Sequence, residues 1–360
     1  MWWVLKRWTA TDVKRNSLQS TSPVSKSIAT REKRATINAC RKSSLPAPSV
    51  FLPNAKHDAL NLNEITRISF KTLFHFEVLS VNDSFSHKLK KVAAIGGCAA
   101  IAAGLPVFLL APGQATKRQK APFYGRSFAH RGLHSEDKSV PENSLEAFRL
   151  AGRAGYGVEL DVQLTKDGQV VVFHDDTLDR VCGVHAKLEE KSYDELKLLT
   201  LCGTSQRIPL LTEVLEIYQG RGPLLVELKN GSRNRELCEK TYAILSDYPG
   251  EVCIESFNPF IVRWFKKHAK DIVRGQLATV PRDYGDAVSK RNAFLLSRCL
   301  LNFLARPQFI AYRIGRRPLA VRFSEAMGAM RFGWTARNER AERGRDAVIF
   351  EFYRPQLKIK

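Results

Sequence analysis

The chain has 360 residues and a formal net charge of +21, from 57 lysines and arginines against 36 aspartates and glutamates. Such an excess invites a nucleic-acid partner, but it is divided between the first ninety-one residues and a late stretch from Arg313 to Arg345, with no recognisable nucleic-acid module in between. Seven cysteines, at 40, 98, 182, 202, 238, 253 and 299, are odd in number and scattered, which excludes a disulfide framework and a zinc spacing.

Residues 1–91 hold sixteen lysines and arginines against six acids and are rich in Ser, Thr and Asn. Residues 1–90 are therefore expected to form a basic, low-complexity, disordered segment, with one short element at most between Leu73 and Leu79. A true start near Lys88, Lys90 and Lys91 is a second reading, because a charged region belongs directly before an apolar one. Val92 to Thr116 is free of charge and rich in Ala, Ile, Leu and Gly. As a helix it is long enough to cross a hydrocarbon layer of about 30 Å, so 91–116 is expected to be a transmembrane or signal-anchor helix. A cleaved signal and a buried core helix are the competing readings. The preceding lysines predict a single-pass membrane protein with its catalytic part outside the cytoplasm. Lys117, Arg118 and Lys120 blunt that asymmetry, and so many thiols fit an oxidising exterior poorly. Basic residues beside an anchor suit anionic lipid headgroups better than nucleic acid.

Beyond residue 120 the pattern changes. Ser127 to Ala129 reads as a short buried strand with His130 at its end. Asn143 is placed to cap a helix over 143–154, with Glu146 three residues later. Val158 to Val162 alternates with a period of two, so Glu159 and Asp161 project to one side and the valines and leucine to the other. A pair of carboxylates on an inward face is costly to bury unless something positive lies between them, and a hard divalent cation answers that need. Thr165-Lys166-Asp167-Gly168 is a turn signal leading into Val170–His174, a return arm that brings His174 back towards the acids.

Further apolar strands are predicted at 224–229, 253–257, 273–277, 309–312, 332–335 and 347–351, with amphipathic stretches at 211–219, 235–247 and 259–268. Leu295 and its neighbours from 294 to 304 read as a membrane contact or as a helix covering the sheet. Leaving the return arm aside, eight parallel strands in about 235 residues predict an α/β fold, a single (β/α)8 barrel with its active site at the carboxyl ends of the strands. His130, Glu159, Asp161, Glu227, Lys229 and Trp334 all fall there.

Taken together, His130-Arg131-Gly132, Pro141-Glu142-Asn143-Ser144, Glu159-Leu160-Asp161 and His174-Asp175 resemble the signature of the glycerophosphodiester phosphodiesterases. The later strands continue the resemblance with less specificity, over roughly 121–355. The resemblance implies metal-dependent hydrolysis of glycerophosphodiesters to an alcohol and glycerol 3-phosphate. It implies Glu159, Asp161 and Glu227 as ligands of Ca²⁺ or Mg²⁺, and Arg131, Lys229 and Trp334 as groups facing the substrate. His130 and His174 would exchange protons, with the base not assigned, along a route in which the substrate's own glycerol hydroxyl attacks through a cyclic phosphate. Glu142 and Asn143 would support the site. Glu351 and Phe352 stand where that family often carries an aspartate in a Gly-rich segment, a departure that bears on how the barrel closes. Lysophospholipase D-like removal of lysophospholipid headgroups and a silent lipid-binding barrel are the alternatives.

Overall fold

The structure, a computed structural model, describes residues 104–286 and 288–357. The expectations for 1–90 lie outside the described residues.

Nine strands form one sheet: β1 (Arg126–Ala129), β2 (Gly157–Leu164), β3 (Val170–Val172), β4 (Leu224–Leu228), β5 (Val252–Ser256), β6 (Val273–Ala278), β7 (Phe309–Arg313), β8 (Met330–Ala336) and β9 (Ala347–Phe350). Their order is β1-β9-β8-β7-β6-β5-β4-β2-β3, and β1 also pairs with β2. All contacts but one are parallel, and β3 alone runs antiparallel, against β2. Eight strands thus close a parallel barrel and the ninth is the return arm. The substitution at Glu351 and Phe352 does not impair closure, because β9 pairs with β1 from Arg126↔Ala347 to Ala129↔Phe350.

Alternation along the strands decides what each face buries. Val158, Leu160, Val162, Leu224, Val226, Leu228 and Ile254 point outward and pack under the surrounding helices. The opposite parity fills the barrel with Phe128, Leu225, Cys253, Val273, Phe309, Met330, Phe332 and Ile349. The same inward parity carries Glu159 and Asp161 on β2, Glu227 on β4 and Glu255 on β5, so the interior is oily on one side and acidic on the other. Gly275 on β6 sits where a Cβ would run into the Phe309 ring, itself stacked on Phe332 at 4.2 Å. Gly275→Ala should cost about 1–3 kcal/mol through overpacking, seen as a lower urea midpoint; an unchanged midpoint would show that Phe309 can swing clear.

Helices cover the outside at Leu145–Arg153, Leu211–Tyr218, Asn234–Ser246, Pro259–His268, Lys290–Ser297, Asn302–Ala305 and Leu319–Ala326. The first is capped by Ser144, which accepts from the Ala147 N–H, and not by Asn143 as the sequence suggested. Asn143 adopts a positive φ of 54° and turns its side chain into the barrel mouth. The apolar stretch 294–304 is broken into two short helices whose buried residues include Ala293, Ser297, Asn302 and Ala305.

The predicted span 91–116 needs correction at its carboxyl end. Residues 104–110 are helical, but 111–116 are not. Pro112 and Gly113 break the helix, since proline removes a donor and disfavours helical geometry in the residue before it. The emerging chain is then tied to the barrel. Ser324 Oγ donates to the Leu110 carbonyl at 2.6 Å, Arg306 Nη1 to those of Phe108 and Ala111 at 2.9 Å, and Gln308 Nε2 to that of Gln114 at 2.9 Å. Among the described residues no helix is long and apolar enough to cross a membrane; residues 91–103 lie outside them.

Candidate active site at the carboxyl end of the barrel

Register places the acids side by side. Asp161 is paired with Glu227 across β2 and β4, and Glu227 with Glu255 across β4 and β5. Glu159, one inward position below Asp161, completes a group in which Glu159, Asp161 and Glu227 each offer an oxygen within 4.8 Å of the others. All three are buried. Burial and then the charges of Asp161 and Glu227 push the Glu159 carboxyl well above its usual range, and burial raises Glu227 as well. Asp161 goes the other way. Burial alone would raise it, but the charges of Lys229 and Arg131 outweigh that, together with a hydrogen bond from Asn143, and hold it ionised.

Two cations answer the acids directly. Lys229, one residue past β4, donates from Nζ to Glu227 Oε1 at 2.9 Å and lies 3.3 Å from Asp161 Oδ1. Arg131, in the turn after β1, donates its backbone N–H to Glu159 Oε2 at 2.9 Å and brings Nε within 3.5 Å of Asp161 Oδ2. Asn143 Nδ2 donates to the same Asp161 oxygen at 2.9 Å. These donors leave Asp161 Oδ1 and Glu255 Oε2 buried without a hydrogen-bond partner. A compact set of hard carboxylate oxygens is the donor set that a hard divalent cation takes.

The two histidines flank this group from different strands. His130 follows β1, its Nε2 4.0 Å from Glu159 Oε2. His174 follows β3, where the hairpin folds back: the Phe173 N–H donates to the Asp161 carbonyl, and Gln163 Nε2 donates to the carbonyls of Phe173 and Asp175. The His174 ring pairs through Nδ1 with Asp175 Oδ1 at 2.6 Å. Burial, then the neighbouring Lys229 and Arg131 charges, pull its pKa down to about 4. Burial and Arg131 likewise lower His130. Trp334 lies on β8, half-buried, donating Nε1–H to the Ala311 carbonyl at 3.0 Å and meeting Phe257 edge-on at 5.7 Å.

Glu142 links the two sides of the mouth. It accepts from Arg131 Nη1 and from both terminal nitrogens of Arg180 at 2.7 Å, while Arg180 Nε donates to Asp175 Oδ2 at 2.6 Å. An ordered path therefore runs from His174 through Asp175, Arg180 and Glu142 to Arg131. Burial would raise the Glu142 carboxyl, but the bonds and charges of Arg180 and Arg131 bring it down to about 2. A carboxyl more acidic in the folded chain stabilises it above the unfolded pKa and loses that contribution as pH falls from about 4.5 towards about 2. Wild type should exceed Glu142→Gln in stability by on the order of 3 kcal/mol at pH 7, with the gap shrinking below pH 4.5 in urea titrations; a pH-independent gap would contradict the charge argument.

Sequence reasoning gave no role in the site to five residues that the structure places there. Glu255 shares the inward parity and register of Glu227, a signal available once β4 and β5 are aligned. Asp175 and Arg180 follow His174 closely in sequence, but their role depends on the fold. His134 and Glu351 come together only when β9 closes against β1, and no spacing announces that.

An eight-stranded parallel barrel with acids, imidazoles and basic groups at its carboxyl end defines a class of enzymes that act on phosphate esters. The chain belongs to the glycerophosphoryl diester phosphodiesterase family, whose model matches residues 130–352. It is 38% identical over 161 residues to a glycerophosphodiester phosphodiesterase of Caldanaerobacter subterraneus subsp. tengcongensis, covering 41% of this chain and 65% of that relative. It is 35% identical over 149 residues to a rat protein named lysophospholipase D GDPD1, covering 38% of this chain and 45% of that one. The chain thus spans less than two thirds of the length of either relative. A phosphodiesterase of Oleispira antarctica, solved with the product sn-glycerol-3-phosphate, is 25% identical, covers 63% of this chain and 93% of its own, and superposes with a TM-score of 0.52.

Proposed function

We propose that this chain hydrolyses glycerophosphodiesters to an alcohol and glycerol 3-phosphate, with a divalent cation held by Glu159, Asp161 and Glu227. The observation that carries the reading is the convergence of those three buried carboxylates with Arg131, Lys229 and two imidazoles. Family membership and the relatives' names support the substrate class. When bound, the cation would supply Lewis-acid polarisation of a phosphoryl oxygen.

The remaining work falls to the chain's own side chains. Arg131 and Lys229 would bind the nonbridging oxygens and stabilise the charge that grows on them. Burial lowers the pKa of both His130 and His174, which suits one of them to accept a proton from the attacking hydroxyl. The other would act in its protonated imidazolium form and pass that proton to the departing alcohol. Asp175 fixes the His174 ring through Nδ1, leaving Nε2 for the substrate. Trp334 and Phe257 form an apolar wall suited to the glycerol carbons.

Hydrolysis of glycerophosphocholine and glycerophosphoethanolamine should be readily measured in Ca²⁺ or Mg²⁺ and fall to background with excess chelator. Activity untouched by chelator would sink the cation assignment, and no release from any glycerophosphodiester would leave a silent barrel. The rat relative's name favours one second reading, removal of a lysophospholipid headgroup; faster turnover of lysophosphatidylcholine than of glycerophosphocholine would select it.

A further inference from the structure

Behind the carboxylate group lies a second cluster of a different chemical kind. His134 sits in the loop after β1, and Glu351 is the first residue past β9. Glu351 Oε1 is 3.7 Å from His130 Nδ1 and 3.5 Å from His134 Nε2. Each of the three residues offers one donor atom within 4.8 Å of the other two. His134 has only 9% of its side chain exposed, and its Nε2, like His130 Nδ1, is buried without a hydrogen-bond partner. At 3.5 and 3.7 Å the two ring nitrogens stand at ion-pair distance from the carboxylate, longer than the usual N–H···O contact. Those separations lie near the ~3.4 Å edge of a tetrahedron whose centre-to-ligand bonds are about 2.0–2.1 Å.

We propose that His130 Nδ1, His134 Nε2 and Glu351 Oε1 form a second cation site, selective for a zinc-type ion, that regulates the proposed hydrolysis by capturing His130. Donor chemistry sets the selectivity. Arg337 Nη2 donates to Glu351 Oε2 at 2.9 Å and already balances that carboxylate. Affinity must therefore come from imidazole nitrogen, which favours zinc over Ca²⁺ or Mg²⁺. The carboxylate group, all oxygen, has the reverse preference. The surroundings hold the ligands in place: the His134 ring packs edge-on against Phe352 at 5.0 Å, and Arg337 also lies over that ring.

His130 is the link between the two sites, since one nitrogen faces Glu351 and the other faces Glu159. With zinc on Nδ1, the neutral ring carries its hydrogen on Nε2. That form can donate a proton but has no lone pair with which to accept one. A residue that moves protons must do both in each turnover, so zinc should inhibit. This last step rests on the hydrolysis proposed above, whereas binding does not.

The test uses the full chain saturated with Ca²⁺ and titrated with zinc by calorimetry, alongside hydrolysis of glycerophosphocholine. Wild type should bind one more zinc ion than His134→Ala or His134→Gln, with melting curves run to verify folding. The ratio of activities without and with zinc should exceed that of either variant at least tenfold. Equal zinc uptake by wild type and folded variants overturns the proposal. A second measurement needs no variant: in wild type, the imidazole ¹⁵N signals of His130 and His134 should shift together on adding zinc, and unmoved signals overturn it. Loss of a zinc equivalent in the variants, with no hydrolysis by any of the proteins, would uphold the site and sink the hydrolysis reading instead.

Discussion

Asp161→Ala should destabilise the chain by about 3–5 kcal/mol and abolish hydrolysis, the larger of the two losses we expect from single substitutions at the mouth of the barrel. Asp161 is the point on which Arg131, Lys229 and Asn143 converge. Removing it leaves the Arg131 guanidinium and the Asn143 amide buried without that acceptor, and Lys229 with Glu227 alone. Removing Lys229 as well should cost less than the two single losses added together, because the two residues share one interaction that is lost only once. Urea denaturation of Asp161→Ala, of Lys229→Ala and of the Asp161→Ala/Lys229→Ala pair measures both effects. A single variant as stable as wild type, or strict additivity in the pair, would show that these charges do not act as a unit.

Alanine at His174 or at His130 should each lower kcat by at least about 10²-fold, the usual contribution of a positioned proton-transfer group. The two variants should differ in their surroundings. His174→Ala frees Asp175, which remains paired with Arg180, so stability should change little. His130→Ala removes a neighbour of Glu159 and Glu351 together. Steady-state kinetics on glycerophosphocholine, with KM and kcat separated, reads the outcome. Near-normal turnover by both single variants would defeat the assignment of proton transfer to these rings.

Much of the fold was legible in the residues themselves. Period-two alternation in Val158–Val162 announced a strand with both acids on one face, whereas Glu227 was singled out only by the family resemblance and its place beside them came from the register of β2 and β4. The eight parallel strands and the antiparallel return arm follow from short apolar runs alternating with amphipathic stretches. The local errors have local causes. Asn143 looked like a helix cap because its type suits that role, but Ser144 suits it equally, and the tie was broken by Asp161, which draws the asparagine inward. The apolar run after Val92 looked continuous by charge alone, although Pro112 and Gly113 were in plain view and end the helix.

Sequence alone determined which residue types could do the chemistry and that alternation would send them inward, because parity along a strand is a property of the backbone. Contacts between residues far apart in the chain were decided by the closed barrel. Pairing of β9 with β1 brings Glu351 to His130 and His134, and the shared register of β2, β4 and β5 sets Asp161, Glu227 and Glu255 in a row. Those meetings depend on strand order and stagger, which no local pattern encodes.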